Sequence, residues 1–246
     1  MSRFEYKYYI PNIYLDDLRR SFLPYLKYDV YTAHKERKEY TVRSIYMDSP
    51  GMLTYFQKLD GHKERLKFRI RGYNQELENS VVFMEIKRKN VDQVSKDRIK
   101  IHFRDVENFL STNDYSLLPN YSSRVLHESS GVRSFLYYLN LHQLKPTVLI
   151  TYDREAFECI FGSGVRITFD KNIRSKPTKK YSDLFTDKDL VPSLKEYFVL
   201  EIKFHKSVPN WLPGAMKKYD VFRDSASKYV MGIESTFQHT FLKYLS

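Results

Sequence analysis

A ten-residue stretch, ERLKFRIRGY at residues 64–73, alternates basic and apolar side chains almost without interruption. Its basic residues are Arg65, Lys67, Arg69 and Arg71, and the apolar residues between them are Leu66, Phe68 and Ile70. Successive side chains of a β-strand point to opposite faces, so a strand here has one face of four cations and one apolar face. The apolar face must be buried, and the fold depends on which way the charged face points.

Alternation rich in Tyr, Phe, Val and Ile predicts about eight strands along the 246-residue chain. The strands are expected near 3–10, 40–48, 63–72, 80–90, 96–103, 146–158, 164–171 and 196–206. Helices are expected at 12–23, 50–59, 104–112, 122–143 and 224–243. The sequence therefore predicts an α+β fold dominated by antiparallel strands, in a single domain over residues 1–246. The polar stretch 175–183 is interpreted as a surface loop, and FGSGV at 161–165 as a hairpin turn.

Charged residues share one face of most of these strands. The same-face groups are Glu5 with Lys7, Glu85 with Lys87 and Lys89, Lys96 with Arg98 and Lys100, Arg166 with Asp170, and Glu201 with Lys203, and Arg154 continues the series. A polar sheet face is usually just solvated. Here, however, like charges would lie side by side on neighbouring strands, which destabilises a sheet unless a bound anion compensates them. The formal net charge of +11 also favours a polyanionic partner such as nucleic acid, a phosphate ester or an acidic membrane surface.

Eight strands can close into a barrel. We therefore expect a barrel whose apolar faces point outward beneath the helices and whose charged faces line a tunnel. Such a tunnel suits a polyphosphate and a divalent metal, because Arg and Lys bind phosphate oxygens and carboxylates hold Mg²⁺ or Mn²⁺ against them. The charged face of residues 64–73 is thus predicted to point inward, toward a ligand.

Eight short stretches resemble one known family, the vacuolar transporter chaperone (VTC) domain of polyphosphate polymerases, which is a branch of the CYTH-like triphosphate tunnel metalloenzymes. They are EYKYYI, VRSIYMDSP, LKFRIRGY, VFMEIKRK, TYDREAF, VRITFDKNI, VLEIKF and SASKY, in the family's order from about residue 3 to 231. The resemblance implies that the γ-phosphate of ATP, or of another triphosphate, is transferred to a growing polyphosphate chain inside the tunnel. It also implies a divalent metal, Mn²⁺ or Mg²⁺, as cofactor.

The resemblance and the alternating pattern together give each candidate residue a role. The residues expected to contact the reacting phosphates are Lys7, Arg69, Arg71, Lys87, Arg154 and Arg166. Further phosphate-binding residues are expected at Arg65, Lys67, Lys89, Lys96, Arg98, Lys203, Ser227 and Lys228. The resemblance implies that Glu201 binds the metal, with Glu5 and Glu85 as helpers.

Several alternatives stay open at this point. Attack by water would make the same site a triphosphatase, and Glu5 is also a feature of that hydrolytic branch of the family. A non-catalytic polyphosphate-binding protein would keep the tunnel without turnover. A specific nucleic-acid-binding module is disfavoured, because Glu85 and Glu201 lie on the basic face, where carboxylates would repel a phosphate backbone. No G-x-x-x-x-G-K-[ST] motif is present, so a P-loop is excluded.

A cytoplasmic location is expected from the sequence. The N-terminus is charged and has no apolar signal segment, and no apolar run reaches the roughly 18 residues that span a bilayer. Cys159 is the single cysteine, so no intrachain disulfide can form. The sequence leaves open whether a membrane protein is a partner, and it leaves the oligomeric state unknown.

Overall fold

A computed structural model describes residues 4–90, 93–119, 130–205, 207–219 and 223–245. Its strands are β1 (Phe4–Pro11), β2 (Leu26–Tyr28), β3 (Tyr40–Asp48), β4 (Glu64–Tyr73), β5 (Val81–Asn90), β6 (Gln93–His102), β7 (Lys145–Cys159), β8 (Arg166–Pro177), β9 (Val191–Pro192), β10 (Tyr197–Phe204) and β11 (Arg223–Asp224). Its α-helices are α1 (Leu15–Phe22), α2 (Val30–Ala33), α3 (Leu53–Leu59), α4 (Val106–Thr112), α5 (Ser130–Leu141), α6 (Trp211–Lys217) and α7 (Lys228–Leu245). Short 3₁₀ helices cover Asn12–Tyr14, Phe103–Asp105, Tyr115–Leu117 and Tyr181–Phe185.

The strands form one antiparallel sheet. Its main path runs β11–β1–β10–β8–β7–β3–β4–β5–β6, with β2 paired to β7 and β9 paired to β8. The register places like charges opposite one another, since Lys67 of β4 lies opposite Lys87 of β5 and Lys87 lies opposite Lys96 of β6. Elsewhere it places opposite charges together, as where Lys7 of β1 lies opposite Glu201 of β10.

The α+β class and the antiparallel sheet are confirmed, but the closed eight-stranded barrel is wrong. Strands β11 and β6 end the path, and no hydrogen-bonded ladder joins them within the described ranges. The sheet nevertheless curves enough that Lys87 Nζ on β5 lies 3.0 Å from Glu5 Oε2 on β1. The result is an open, strongly curved sheet with a charged concave face. The closed barrel was wrongly predicted because strand alternation determines the two faces of a sheet but not whether its outermost strands pair.

Apolar side chains cover the convex face, as the alternation predicted. On one half, Phe135 of α5 packs edge-on against Phe68 of β4, with ring centroids 6.4 Å apart. On the other half, Phe22 of α1 packs against Phe169 of β8 at 6.0 Å. Burying each such side chain contributes roughly 1.5–3 kcal/mol. Helices α1, α4, α5 and α6 thus cover the outer face and leave the charged face uncovered.

The last helix lies elsewhere, against the concave face, which corrects the expectation that all helices pack outside. Tyr229 of α7 is buried in a cluster with Ile150 of β7. Gly232 allows the close approach, because a Cβ at this position would lie 2.7 Å from Ile150 Cδ1. Helix α7 therefore fills one end of the concave face and brings Ser227 and Lys228, at its start, to the charged region.

Most predicted boundaries agree with the structure. The eight expected strands match β1, β3 to β8 and β10 to within three residues, except that β8 continues to Pro177. The stretch 175–183 is therefore not simply a surface loop, since Ser175 and Thr178 are buried. The hairpin turn at 161–165 is confirmed, because it joins β7 to β8.

The helix predictions hold in type and are less accurate at the ends. The expected helices 12–23, 50–59, 104–112 and 224–243 correspond to α1, α3, α4 and α7, each of which begins a few residues later than expected. The predicted helix 122–143 corresponds to α5, and its residues 122–129 lie outside the described part of the chain. The elements β2, β9, β11, α2 and α6 were not predicted. Among the helices that the structure describes, none combines the length and hydropathy needed to cross a membrane.

Candidate functional site

A cavity lies on the concave face, and we call it the inner cavity. It is lined by Lys7, Tyr46, Lys67, Arg69, Arg71, Lys87, Tyr152, Arg154, Glu201, Lys203, Ser227, Lys228 and Tyr229. Eight of these thirteen residues are Lys or Arg, and one is a carboxylate. Strand β4 alone supplies Lys67, Arg69 and Arg71, so the charged face of residues 64–73 does point inward.

Two carboxylates, Glu5 and Glu201, lie side by side among these cations. Lys7 Nζ is 3.0 Å from Glu5 Oε1 and 3.4 Å from Glu201 Oε1. Lys87 Nζ lies 3.0 Å from the other oxygen of Glu5, and Lys203 Nζ lies 2.5 Å from Glu201 Oε2. Burial raises the pKa of Glu5, as does Glu201, but Lys7 and Lys87 outweigh both and hold that pKa below its ordinary value. Burial also opposes ionisation of Glu201, yet Lys203 and its other partners hold its pKa well below the ordinary value, so both groups are ionised at neutral pH.

A third acid, Asp170 on β8, binds two of the cations that line the inner cavity, Arg154 and Lys228. It is fully buried and accepts hydrogen bonds from Arg154 Nε at 2.6 Å and Arg154 Nη2 at 2.8 Å. Lys228 Nζ lies 2.6 Å from Asp170 Oδ2, and Arg154 Nη2 lies 3.5 Å from Glu201 Oε2. Asp170 thereby fixes one arginine and one lysine against the cavity. The sequence placed Asp170 on the charged face but gave it no role, although it lies directly opposite Arg154 in the sheet.

Glu85 is fully buried beneath its own set of cations and does not line the inner cavity. Its Oε2 accepts a 2.7 Å hydrogen bond from Arg69 Nε, and its Oε1 accepts 2.8 Å hydrogen bonds from Lys96 and Arg98. Burial raises the pKa of Glu85, but Arg69 and the other cations outweigh it and hold the pKa far below its ordinary value. Both oxygens are therefore engaged, and Glu85 orients Arg69.

Lys67 differs from the other lysines of the inner cavity. Its Nζ donates a 2.7 Å hydrogen bond to Ser227 Oγ, and within the described residues it makes no ion pair with Asp or Glu. Burial lowers the pKa of Lys67 well below its ordinary value, and the neighbouring cations Lys7 and Lys87 lower it further. Burial also lowers the pKa of Lys203, to about 8, despite the contact with Glu201. A bound anion would relieve the unfavourable burial of both ammonium groups.

Three tyrosines that the sequence did not single out also line the cavity: Tyr46, Tyr152 and Tyr229. The hydroxyl of Tyr46 accepts a 3.0 Å hydrogen bond from Arg69 Nη1. Burial raises the pKa of Tyr46, but Arg69 and Arg71 outweigh it, so the net pKa is lowered. Lys228 Nζ lies 4.8 Å from the centroid of the Tyr152 ring, a cation–π distance. All three tyrosines lie inside stretches that carry the family resemblance, VRSIYMDSP, TYDREAF and SASKY, and Tyr152 lies two positions before Arg154, so its spacing places it on the same charged face of β7.

A second, larger cavity, the outer cavity, adjoins the inner one. Both cavities are lined by Lys7, Lys67, Lys87 and Ser227. Of the predicted phosphate-binding residues, Arg65 and Lys89 line the outer cavity and not the inner one.

Three of the residues predicted to bind phosphate line neither cavity. Lys96 and Arg98 are held by Glu85, as described above. Arg166 Nη2 lies 2.6 Å from Asp29 Oδ2, and a third of its side chain is exposed. Phosphate contacts by these three remain predictions without support from the cavity geometry.

Comparison with known proteins identifies the family. The model of the VTC domain matches residues 2–237. The chain belongs to the VTC domain family. It is 22% identical over 268 residues to vacuolar transporter chaperone complex subunit 4 of Schizosaccharomyces pombe, covering 94% of this chain and 37% of that protein. It is 25% identical over 246 residues to the subunit 4 of Trypanosoma brucei brucei, covering 86% of this chain and 31% of that protein. The chain thus spans about a third of the length of these relatives.

A solved structure supports the fold of this VTC domain. The putative adenylyl cyclase HpAC1 from Hippeastrum, described as having a dominant triphosphatase activity, superimposes with a TM-score of 0.52 at 12% identity. The match covers 96% of this chain and 97% of that one. At this identity the likeness shows a shared fold, and the family resemblance drawn from the sequence stretches is confirmed by the VTC match.

Proposed function

We propose that the inner cavity binds the triphosphate of ATP with a divalent metal and transfers its terminal phosphoryl group to a polyphosphate chain. The observation that most supports this is the enclosure of eight Lys and Arg side chains around an ionised carboxylate. A triphosphate is dense enough in charge to compensate such a set of cations. A carboxylate among them would repel an anion, unless a metal ion lies between the two.

The structure suggests how the phosphates would be positioned. Arg69 is held by Glu85, and Arg154 is held by Asp170, so both guanidinium groups are oriented before any ligand arrives. Phosphoryl transfer needs mainly positioning and stabilisation of charge on the phosphate oxygens. We therefore assign Arg69, Arg71 and Arg154 to the triphosphate.

A divalent metal fits the donor set of Glu5 and Glu201. Over the described residues, no group of three or more His, Cys, Asp or Glu side chains is arranged to hold a metal alone. Mg²⁺ and Mn²⁺ sites in phosphoryl-transfer proteins commonly use one or two carboxylates together with substrate phosphates and water. Glu201 lines the inner cavity and Glu5 lines the outer one, so both would hold the ion jointly with the triphosphate, whereas Glu85 lines neither cavity and would not. When bound, the metal supplies positive charge to the transferring phosphate.

In the proposed reaction, an oxygen of the acceptor's terminal phosphate forms a bond to the γ-phosphorus. The bond from that phosphorus to the bridging oxygen breaks, and ADP leaves. The cavity's Lys and Arg side chains stabilise the charge that accumulates on the bridging oxygen.

A triphosphatase is the second candidate function. The inner cavity shares four lining residues with the larger outer cavity, and we infer that water could reach the γ-phosphate from that side. Attack by water would release free phosphate in place of a longer chain. A non-catalytic polyphosphate-binding protein would bind without either product.

Incubation of the purified protein with ATP and Mn²⁺, followed by gel separation and a phosphate-release assay, tests these alternatives. A metal-dependent ladder of polyphosphate together with ADP is expected. Free phosphate without a ladder would replace the polymerase with the triphosphatase. Tight tripolyphosphate binding with neither product would leave a binding protein. The cytoplasmic location and the single-domain assignment stay predictions from the sequence.

A further inference from the structure

Asp48, the last residue of β3, lines neither cavity, yet its carboxylate is buried and accepts five hydrogen bonds. Four of them come from the turn into α3 and from its first residues. The donors are the backbone N–H groups of Ser49, Thr54 and Tyr55, at 2.8 to 3.0 Å, and the Thr54 hydroxyl, at 2.8 Å. A carboxylate at the first turn of a helix satisfies N–H groups that have no partner within the helix. Asp48 therefore anchors α3.

The fifth hydrogen bond links Asp48 to the inner cavity. Tyr229, in the first turn of α7, lines this cavity and donates its hydroxyl to Asp48 Oδ2 at 2.5 Å. Burial raises the pKa of Tyr229, and the Asp48 carboxylate raises it further, so the hydroxyl stays protonated and remains a donor. This bond joins the end of β3 to the start of α7, across 181 positions of the chain.

The ring of Tyr229 is held by two other tyrosines. Tyr46 lies two residues before Asp48 on β3, and its ring stacks on that of Tyr229 with the centroids 5.3 Å apart and an interplanar angle of 24°. Tyr55 of α3 meets the Tyr229 ring at a steep angle, with the centroids 6.4 Å apart. Tyr229 is thus held both at its hydroxyl and at its ring, and the acceptor of the hydroxyl is Asp48.

The Tyr46 side of this stack contacts a cation that we assign to the triphosphate. The Tyr46 hydroxyl accepts a 3.0 Å hydrogen bond from Arg69, and the guanidinium carbon of Arg69 lies 5.7 Å from the centroid of the Tyr46 ring. Without the Asp48 carboxylate, the Tyr229 hydroxyl would be buried without its acceptor, which favours a shift of the ring toward another one. The contacts of Tyr46 would pass such a shift on to Arg69.

We propose that Asp48 is a positioning residue of the inner cavity. By holding the Tyr229 hydroxyl, it fixes the stack of Tyr229 on Tyr46. Tyr46 then fixes, together with Glu85, the direction in which Arg69 faces the triphosphate. This inference rests on the proposed function and adds to it a residue that acts on the triphosphate only through others.

A double-mutant cycle tests this role. Binding of tripolyphosphate in the absence of metal is measured by isothermal titration calorimetry for the wild-type protein, Asp48→Asn, Tyr229→Phe and the double variant. Asparagine keeps the size of the side chain but offers one acceptor oxygen in place of two. Each single substitution should weaken binding roughly threefold to tenfold. The double variant should bind no more weakly than the weaker-binding single variant, because both substitutions break the same link.

Turnover gives a second measurement that depends on orientation. In the assay with Mn²⁺ and saturating ATP, kcat per folded molecule should fall roughly threefold or more in both single variants. Saturation with ATP compensates for weaker binding but not for a misplaced Arg69. Circular dichroism gives the folded fraction of each variant.

Two control variants separate positioning from stability. Ser49→Ala removes a different contact at the start of α3, the 3.0 Å hydrogen bond from the first N–H of the helix to the Ser49 hydroxyl, and leaves the Asp48 carboxylate in place. Tyr9→Phe removes a tyrosine hydroxyl that contacts a methionine of α7, and Tyr9 lines neither cavity. Both controls should keep the affinity and kcat of the wild-type protein. If Asp48→Asn does not fold, the comparison of Tyr229→Phe with Tyr9→Phe carries the test.

The inference is overturned if folded Asp48→Asn binds tripolyphosphate as Ser49→Ala does, or if Tyr229→Phe binds it as Tyr9→Phe does. It is also overturned if the losses of Asp48→Asn and Tyr229→Phe add in the double variant, since the two residues would then act independently.

These outcomes are distinct from failure of the proposed function. A wild-type protein that makes no polyphosphate ladder, yet shows non-additive losses of tripolyphosphate binding in the cycle, would refute the polymerase and keep the positioning role. A protein that makes the ladder, but whose Asp48→Asn variant has wild-type affinity and kcat, would keep the polymerase and refute the positioning role.

Discussion

Separate replacement of Arg71 and Arg166 by alanine tests which arginines of the charged strand faces contact a bound triphosphate. Both arginines alternate with apolar residues, and the sequence pattern predicts the same role for both. The structure places them differently. Arg71 is 6% exposed and lines the inner cavity, where it makes long hydrogen bonds to Ser44 Oγ at 3.2 Å and Tyr152 OH at 3.4 Å. Arg166 lies outside the cavity linings, bound to Asp29 at 2.6 Å.

The expected magnitudes follow from these contacts. Arg71→Ala removes a charge-assisted contact to phosphate, a loss of about 1.5–3 kcal/mol, or a roughly 10- to 150-fold weaker affinity for tripolyphosphate. Arg166→Ala removes only a more distant, screened charge, so its affinity should fall by less than about threefold. It should instead destabilise the fold, because Asp29 is 1% exposed and loses its cation. We expect a decrease of about 1–2 kcal/mol in the free energy of unfolding, less than for a fully buried pair.

Isothermal titration calorimetry with tripolyphosphate, in the absence of metal, gives the affinities, and urea denaturation gives the free energies of unfolding. Arg71→Ala should lose more tripolyphosphate affinity than Arg166→Ala. Arg166→Ala should in turn show the expected loss of unfolding free energy. Equal losses of tripolyphosphate affinity would show that Arg166 also reaches the ligand. Wild-type affinity in Arg71→Ala would refute the assignment of the inner cavity as the triphosphate site.

The strands could be predicted because they follow a local period of two, and the inward direction of their charges because like charges crowd the same face of neighbouring strands. In β4, the apolar positions include Phe68 and Ile70, which are fully buried on the convex side, and the basic positions face the cavity. The open edge of the sheet could not be predicted in this way, since alternation does not encode which strands end the path. The strands β9 and β11 have two residues each, too few to show any period. Helix α6 contains Pro213 and Gly214, which are poor helix formers.

The basic residues that line the inner cavity could be predicted from the sequence, but the acid that each charged residue contacts could not. The sequence identified every lysine and arginine of the inner cavity. It could not tell Arg71 from Arg166, because the acid that holds Arg166 is 137 positions away in the chain. Likewise, Glu85 and Glu201 look alike on their strands. The structure separates them, because Glu85 accepts hydrogen bonds from Arg69, Lys96 and Arg98 and does not line the inner cavity, whereas Glu201 does.

Three further predictions address the fold, the pH dependence and the metal. Gly232→Ala should lower the free energy of unfolding in urea by about 1–3 kcal/mol, because the added carbon meets the buried side chain of Ile150, and an unchanged value would contradict the tight packing of α7. The affinity for tripolyphosphate should fall as the pH rises through about 8, where Lys203 loses its positive charge. Lys203→Met should reduce this step in a calorimetric pH series, whereas Lys96→Met, which alters a lysine outside the cavity with a pKa also near 8, should preserve it. Glu201→Gln should reduce Mn²⁺-dependent turnover by more than roughly 100-fold. Loss of a residue that only hydrogen-bonds a metal ligand typically costs about 10- to 100-fold, and Glu201 is proposed to bind the metal itself. The same substitution removes a negative charge from among the phosphate-binding cations, so metal-free tripolyphosphate should bind as tightly as before or more tightly; a loss of both binding and turnover would instead give Glu201 a structural role.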